Sequence, residues 1–454
     1  MSPRAANAMR DYIEQLMHQG RFRIVEREVD PRFELAAVTV RSQAQSEDPI
    51  LFRKVKGTRT GVVTNLFGSR SRLCELIGAA DGNFCRRWQE LAGCSDPIPD
   101  ANVPKLDYEE RRLSDLPQIS YFEKDAAPYI TAGIFLAKEP DSGVPNLSFH
   151  RCMTVNDREL RVRMGRTHDL TKYQAKAEAR GQALEAAILI GPAPQYVLAA
   201  VAPLGYEESE LDVAHRVARR RLPMRKCRHI DLEVPADTEI VIEGRFLSGA
   251  RRPEAPFGEF QGYYVPEVQS HVFEVLGVTL RKGAYYHALV CGFPEDLRLL
   301  EIGGATMIYR ELSQKLPGIV DVACAPHVMS TVIKIRQEYE GHARQVLLTA
   351  IGINHDWSKS CIVVDEDVDI KDFNDVWWAF LTRARPDQRV MVIADVPGFW
   401  RDPNKDHWGR LAIDATVPFD RREQYIRKKI PGSDTLVLSD YLAPGAPSKE
   451  IDAP

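Results

Sequence analysis

The sequence lacks any apolar run long enough to cross a membrane. Its longest candidates, such as residues 183–194, are interrupted by Glu, Gly or Pro well before the roughly 20 residues that a bilayer-spanning helix needs. The opening stretch, MSPRAANAMRDYIEQ, also lacks a basic segment followed by an apolar one, which is the pattern of a secretion signal. Both absences predict a cytoplasmic protein that is not embedded in a membrane.

Motifs for metal-binding thiols and for nucleotides are absent as well. The eight cysteines are scattered with no C-x-x-C spacing, so we expect buried thiols rather than disulfides or zinc ligands. Neither G-x-x-x-x-G-K-[ST] nor G-x-G-x-x-G occurs, which disfavours nucleotide hydrolysis and Rossmann-type NAD binding. The formal net charge of −4 provides no field that would hold nucleic acid.

What remains is an ordinary globular composition in a long chain. The 454 residues are 44% hydrophobic and 27% charged, and a chain of this length usually forms two or three domains. Short β-prone runs predominate in the middle, whereas strands and helices alternate from about Ala305 onward, which is typical of an α/β layer. We therefore expect an α/β segment over 1–104, a strand-rich domain over 105–304, an α/β domain over 305–442 and a mobile tail over 443–454.

Two glutamates lie close together in the segment EAPFGEFQGYY. Glu254 and Glu259 bracket a Pro and a Gly that prevent a regular helix, so a tight loop could turn both carboxylates toward one point. Carboxylates that converge beside an arginine differ in proton affinity, which leaves one to donate a proton while the other stays ionised. Taken alone, the segment is more often a solvated turn with incidental charge.

Polar residues among the middle strands are candidates for ligand contact. Asn146, His150 and Arg151 share the segment PNLSFHRC, and His168 follows in MGRTHDL. Histidine with carboxamide and carboxylate oxygens suits Mn²⁺ or Mg²⁺, although a single histidine among strands is more often a hydrogen-bonded structural residue. Lys359 precedes an apolar strand and could hold a phosphate or a flavin carbonyl, or be an ordinary surface lysine.

Together these motifs resemble those of the UbiD family of decarboxylases, which use prenylated FMN. The resemblance rests on four segments in the family's order and spacing: NLSFHR at 146–151, EAPFGEFQGYY at 254–264, SKSCIVVDEDVD at 358–369 and GRLAIDAT at 409–416. It runs through most of the chain. It implies an α/β (α+β) fold, with a split-barrel flavin-binding domain flanked by an N-terminal α/β segment and a C-terminal α/β oligomerisation domain.

The resemblance assigns a catalytic network to Glu254, Arg151 and Glu259, with Glu259 as the proton donor. A carboxylic acid must be neutral near pH 7 to donate a proton, which requires burial and a neighbouring anion to raise its pKa. The implied reaction is the reversible, non-oxidative decarboxylation of an aromatic or heteroaromatic acid.

The resemblance also implies a set of cofactor and substrate contacts. The metal at the cofactor phosphate, Mn²⁺ with K⁺ nearby, falls on Asn146, His168 and Glu210. The flavin contacts implied beside these are Ser148, Phe149, Arg151, Thr167 and Lys359, with Thr167 standing where relatives often carry Gln. The stretch 291–305 is expected over the substrate ring, with Arg298 among the contacts. Gly303 and Gly304 would leave room for a bicyclic or substituted ring, or merely permit a turn.

Partners follow from the same resemblance. A flavin prenyltransferase would supply the cofactor, and the chain would form a homodimer or a larger homo-oligomer. Two alternatives stay open, an FMN-dependent oxidoreductase and a non-catalytic flavin-binding subunit of a larger assembly. The combination of Glu254, Arg151 and Glu259 argues against both.

Overall fold

The structure, a computed structural model, describes residues 8–96, 98–100, 106–353, 358–396, 409–433, 435–437 and 440–441. The tail expected to be mobile and the expected boundary at residue 104 lie outside these residues. Within the described ranges, no helix combines the length and the apolar composition that crossing a bilayer requires.

The N-terminal unit packs four helices around a small sheet. Its elements are α1 (Met9–His18), β1 (Arg23–Val25), α2 (Glu34–Gln43), β2 (Ile50–Phe52), β3 (Gly61–Thr64), α3 (Arg70–Ile77) and α4 (Phe84–Ala92). The apolar face of α1 is buried, and the chain turns at Gly20, whose φ of 68° favours glycine. The fourth strand of this sheet, β17 (Tyr285–His287), runs parallel to β3. Residues distant in sequence therefore complete the unit.

The middle of the chain forms one nine-stranded sheet. Its strands are β4 (Tyr108–Arg111), β5 (Tyr129–Ile130), β6 (Ile134–Lys138), β7 (Pro145–Phe149), β8 (Cys152–Asn156), β9 (Glu159–Val162), β10 (Leu184–Ile190), β13 (Ile240–Glu254) and β16 (Val268–Arg281). The hydrogen-bonded order is β5-β8-β9-β16-β13-β10-β6-β7, with β4 beside β16. Around it lie a 3-10 helix (Leu113–Asp115), α5 (Asp169–Ala179), α6 (Pro194–Ala199), α7 (Glu210–Ala218), β11 (Met224–Lys226), β12 (Glu233–Pro235), β14 (Phe257–Gly258) and β15 (Tyr264–Val265).

Both faces of this sheet are covered. Side chains alternate between the two faces of a strand, and in β10 Ala186 and Ile188 lie in one apolar core while Ala187 and Leu189 lie in another. This explains why β10 reads as a nearly continuous apolar run instead of an alternating one. The second core contains the buried face of α7, so α7 lies on the opposite side of the sheet from the first core.

The C-terminal part confirms the predicted alternation of strands and helices. Its elements are α8 (Pro294–Ser313), β18 (Ile319–Ala323), β19 (Ser330–Ile335), α9 (His342–Ile353), β20 (Ser360–Asp365), α10 (Phe373–Arg383), α11 (Pro386–Arg389), β21 (Val390–Ala394), β22 (Gly409–Asp414) and a 3-10 helix (Phe419–Tyr425). The sheet order is β18-β19-β20-β22-β21, and β19, β20 and β22 are parallel. Helix α9 contributes to the apolar core on one face and α10 to the core on the other.

The α/β alternation expected from about Ala305 onward begins earlier in the chain, with α8. Helix α8 begins at Pro294, a residue favoured in the first turn, so the boundary expected at 304 and 305 lies inside a helix. A Cβ built on Gly303 would lie 2.6 Å from the carbonyl oxygen of Val201. The glycine therefore permits a close helix contact and does not end the helix.

Glu295, at the start of α8, joins the middle of the chain to the N-terminal unit. Its carboxylate accepts hydrogen bonds from the backbone N–H groups of Asn65 at 2.6 Å and Phe67 at 3.1 Å. The Nε2 atom of His287 lies 2.9 Å from the same carboxylate. Glu295 is 1% exposed, so these contacts replace the water that the charge has lost.

We expect Glu295→Ala to lower the free energy of unfolding by roughly 3–5 kcal/mol, because it leaves buried donors without an acceptor. Glu26→Ala is the matched control, since Glu26 forms an exposed ion pair with Arg53 and such pairs contribute about 1 kcal/mol or less. Urea unfolding measures both variants. Equal losses would contradict the role given to Glu295.

Candidate active site

A buried arginine lies between the two glutamates singled out in the sequence. Arg151 lies in the connection between β7 and β8, Glu254 is the last residue of β13, and Glu259 follows β14. The Nε atom of Arg151 donates to Glu254 Oε1 at 3.0 Å, and Nη2 donates to Oε2 at 3.3 Å. The Nη1 atom donates to Glu259 Oε2 at 2.6 Å. The loop therefore turns both carboxylates toward one cation.

The three side chains are almost removed from solvent. Glu254 is fully buried, Glu259 is 7% exposed and the Arg151 side chain is 9% exposed. Burial alone would lower the pKa of Arg151, but Glu259 and Glu254 raise it above its usual value. A solvated turn does not fit this geometry, so the sequence alternative for these two glutamates is wrong.

Glu254 accepts further hydrogen bonds that hold it in place. Tyr129 Oη donates to its Oε1 at 3.1 Å, and Ser270 Oγ donates to its Oε2 at 3.3 Å. Burial, and then the charge of Glu254, raises the pKa of Tyr129, so this phenol remains a donor at neutral pH. With Arg151 as well, three side chains donate hydrogen bonds to the Glu254 carboxylate and fix its position.

The loop that carries Glu259 is fixed by its backbone. The N–H of Glu259 donates to the carbonyl of Tyr263 at 2.9 Å, and the N–H of Gly262 donates to the carbonyl of Glu259 at 3.0 Å. Gly258 packs so closely on Phe122 that a Cβ would lie 2.3 Å from its ring. The glycine in the segment EAPFGEF is thus required by a close approach.

A second polar group lies at the edge of the sheet. Glu210 is the first residue of α7, and its Oε2 accepts the backbone N–H of Leu147 in the edge strand β7 at 2.9 Å. The Nδ2 atom of Asn146 donates to Glu210 Oε1 at 3.1 Å. Burial raises the pKa of Glu210 to about 7, so a cation at this position would favour its ionised form.

His168 approaches the same group through a chain of side chains. Ser148 Oγ donates to Asn146 Oδ1 at 2.9 Å and lies 3.0 Å from Nε2 of His150. The rings of His150 and His168 are 5.1 Å apart. No trio of His, Cys, Asp or Glu in the described ranges forms a metal site alone. A hard cation fits if the Asn146 amide turns Oδ1 toward Glu210 and a phosphate completes the shell.

The other residues predicted to contact the flavin or the substrate lie in several different parts of the structure. Ser148 and Phe149 are half-buried in β7, whereas Thr167 and Lys359 are exposed. Arg298 forms an ion pair with Glu301, which also accepts from Arg70 at 2.6 Å.

The carbonyl of Val201 lies 2.6 Å from the position that a Cβ of Gly303 would take, so that side of the glycine is filled by backbone. The place of Gly303 near a substrate ring stays a prediction. Gly304 is buried within the same helix and does not form a turn.

Sequence reasoning missed several residues that surround the pair. Tyr129 and Ser270 contact Glu254, and Cys291 contacts Glu259. Asp125 accepts the N–H of Gly258 at 3.1 Å. No motif or fixed spacing in the sequence links these residues to the two glutamates, because each lies on a different strand or loop.

Family models match nearly the whole chain. The N-terminal, Rift-related and C-terminal domains of 3-octaprenyl-4-hydroxybenzoate carboxy-lyase match residues 13–92, 96–294 and 299–415. The chain belongs to the UbiD family. It is a UbiD-family carboxy-lyase, and the sequence resemblance and the expected α/β fold class are confirmed.

A curated relative and two solved structures are similar to this UbiD chain along its length. Anhydromevalonate phosphate decarboxylase from Methanothermobacter thermautotrophicus is 30% identical over 92% of this chain and 99% of its own. The UbiD-class enzyme HmfF from Pelotomaculum thermopropionicum, in complex with FMN, is 32% identical with a TM-score of 0.88, covering 96% and 100% of the two chains. An evolved dimeric form of HmfF in complex with prFMN has the same identity and coverage and a TM-score of 0.84.

We expect Arg151→Gln to destabilise the UbiD fold in a pH-dependent way. Without the guanidinium, the buried carboxylate of Glu254 has no cation beside it, at a cost of roughly 3–5 kcal/mol near neutral pH. Protonation of this buried carboxylate removes the cost, so the deficit in melting temperature should be large at pH 8 and shrink toward pH 5. The exposed Arg158 supplies the control, Arg158→Gln. A deficit that is the same at both pH values contradicts the assignment.

Proposed function

We propose that this chain is a cytoplasmic, prenylated-FMN-dependent enzyme that decarboxylates an aromatic or heteroaromatic acid reversibly, with Glu259 as proton donor. The observation that carries the proposal is Arg151 bound between the buried carboxylates of Glu254 and Glu259. All eight cysteines are free thiols, which agrees with a reducing compartment.

The charges of the three residues suggest how the proton is managed. An ionised Glu254, a cationic Arg151 and a neutral Glu259 sum to zero, which suits a buried site. Once Glu259 gives its proton to the product carbon, the site carries one uncompensated negative charge, so it draws a proton back. In the reverse direction the same carboxylate accepts the proton.

Prenylated FMN, when bound, would supply an electron-accepting centre that stabilises the negative charge left as CO₂ departs. We assign Asn146, His168 and Glu210 to the Mn²⁺ at its phosphate, with K⁺ nearby. The other flavin contacts in the proposal are Ser148, Phe149, Arg151, Thr167 and Lys359. The cofactor would come from a flavin prenyltransferase.

We take the apolar cluster beside Glu259 as the wall of the substrate site, which would favour an aromatic substrate. Phe260 and Val328 are buried there, and Cys291, Leu297, Leu300 and Met329 pack against them. The six side chains carry no formal charge at neutral pH, and a flat ring gains more from such a wall than an anionic group does. The vanillic acid decarboxylase of Sedimentibacter hydroxybenzoicus, 27% identical with a TM-score of 0.82, acts on a ring of this kind.

A second candidate substrate is anhydromevalonate phosphate, which the name of the curated relative gives as that protein's substrate. The observation in its favour is the 30% identity to anhydromevalonate phosphate decarboxylase over 92% of this chain. The uncharged wall argues against it, because a phosphate needs cationic or N–H partners.

We expect the holoenzyme, made together with a flavin prenyltransferase, to release CO₂ from aromatic or heteroaromatic acids and not from anhydromevalonate phosphate. Vanillate, other hydroxybenzoates and furan carboxylates form the panel, with CO₂ measured for each. Protein loaded only with FMN is the control and should be inactive. Turnover of the phosphate alone would favour the second candidate, and turnover with FMN alone would favour an FMN-dependent oxidoreductase or another flavin chemistry.

We also propose a homodimer formed through the C-terminal part of the chain. Large apolar side chains are exposed there on α10, on β21 and in the segment that follows β22: Trp377, Trp378, Leu381, Val392, Ile426 and Ile430. Large exposed apolar side chains in one part of a chain favour a surface that another chain covers.

Glu259→Gln should lower decarboxylation by roughly 10²- to 10⁴-fold, since it removes the transferable proton but keeps the side chain's size. Cofactor content should stay at the wild-type value. Glu267→Gln is the control, because Glu267 lies a few residues away and is exposed. Full activity and full deuterium incorporation into product by Glu259→Gln would remove Glu259 from the mechanism.

His168→Ala should reduce manganese and flavin per chain more than it reduces stability, because loss of one ligand leaves the phosphate charge poorly compensated. Metal analysis, flavin absorbance and thermal unfolding measure the three quantities. His18→Ala at the exposed end of α1 is the control. Unchanged metal and flavin content would exclude His168 as a ligand.

A further inference from the structure

A cysteine and an aspartate lie behind Glu259, on the side away from Arg151. The Cys291 Sγ atom lies 3.7 Å from Glu259 Oε1, whereas Arg151 binds the other oxygen, Oε2. The Cys291 side chain also hydrogen-bonds Asp296 in the first turn of α8. A single thiol therefore connects two carboxyl groups.

The contact between these two loops depends on a glycine. Gly292 has a φ of 78°, and a Cβ on it would lie 3.2 Å from both the Cα and the carbonyl oxygen of Phe260. Its N–H donates to Asp296 Oδ2 at 2.7 Å. The turn at 291–292 therefore packs directly against the loop of Glu259, and the Gly292 N–H holds the Asp296 carboxylate near the Cys291 thiol.

The charged groups around Glu259 act in opposite directions. Arg151 favours the ionised form of Glu259, and the N–H of Phe260, which lies 3.3 Å from Oε1, does the same. Asp296 is a negative group that opposes ionisation, and Glu254 on the far side of Arg151 already compensates most of the guanidinium charge. Asp125 faces Arg151 and partly compensates the same cation.

The state of the thiol and of Asp296 agrees with this arrangement. Burial, followed by Asp296 and Glu259, raises the pKa of Cys291 well above its usual value, so the thiol keeps its proton. When the thiol donates that proton to the anionic Asp296, its sulfur, 3.7 Å from Oε1, faces the proton of a neutral Glu259 as a weak acceptor. Burial raises the pKa of Asp296 to about 6, and Glu259 and Glu295 add to this effect. At neutral pH, Asp296 is therefore mainly an anion close to the proposed acid.

We propose that Asp296, acting through the Cys291 thiol, is a positioning residue that keeps Glu259 protonated against the pull of Arg151. The inference rests on the proposed function, in which Glu259 is the proton donor. Removal of the Asp296 charge should make Glu259 lose its proton, and with it activity, at a lower pH.

The test compares the pH dependence of kcat/KM for the holoenzyme and its variants. In Asp296→Asn, the pH above which kcat/KM declines should be lower than in the wild type by about one pH unit. At a pH where both enzymes are already declining, kcat/KM of the variant should therefore be roughly tenfold lower than that of the wild type. Cys291→Ala should give a smaller shift and Cys291→Ser, which keeps a donor, the smallest. Asp387→Asn, at an exposed ion pair with Arg385, should leave the profile unchanged.

A second readout needs no cofactor. The rate at which iodoacetamide alkylates Cys291 in the cofactor-free protein, followed by peptide mass spectrometry, should rise severalfold in Asp296→Asn, because a neighbouring anion no longer disfavours the thiolate. If Asp296→Asn does not fold by circular dichroism, the Cys291→Ala shift decides alone.

Two outcomes separate this inference from the proposed function. A wild-type pH profile in Asp296→Asn, with Glu259→Gln inactive, overturns the inference and leaves the function standing. Full activity of Glu259→Gln overturns both.

Discussion

The guanidinium of Arg151 is the interaction on which the rest of the site depends. Two carboxylates cannot be buried side by side without a cation, because the loss of hydration costs several kcal/mol for each charge. Arg151 lies between them, with its guanidinium carbon 4.6 Å from the centre of the Phe257 ring, and donates in two directions. These hydrogen bonds constrain three parts of the chain: the connection between β7 and β8, the end of β13 and the loop after β14.

The nine-stranded sheet makes that constraint possible. Because both of its faces are covered, the site lies in a core that excludes water, and β13 and β16 form the long antiparallel pair at its centre. The two residues that contact Glu254 besides Arg151, Tyr129 and Ser270, come from β5 and β16. A rigid frame therefore carries the polar groups, as precise proton transfer requires.

Helix α8 connects the site to the other units. Its first turn holds Asp296 near Glu259 and Glu295 against the loop of the N-terminal unit, and its later turns pack into the core of the C-terminal sheet. The apolar cluster proposed as the substrate wall lies in the same region, in the loop of Glu259, in α8 and in the segment at 328–329. The three units thus meet where the chemistry is proposed, and a change in their packing would also change the wall.

The sequence by itself determined the family and the residues of the proposed network. Four motifs in order suffice for this, since the residue types that carry the chemistry lie in short continuous segments such as 254–264. Only the tertiary structure decided that Glu254 and Glu259 are buried rather than solvated, that Gly303 packs inside a helix, and that Tyr129, Cys291 and Asp296 surround the pair. The physical reason is that burial and hydrogen bonding between distant strands depend on which segments pack together, and local sequence patterns do not specify that packing.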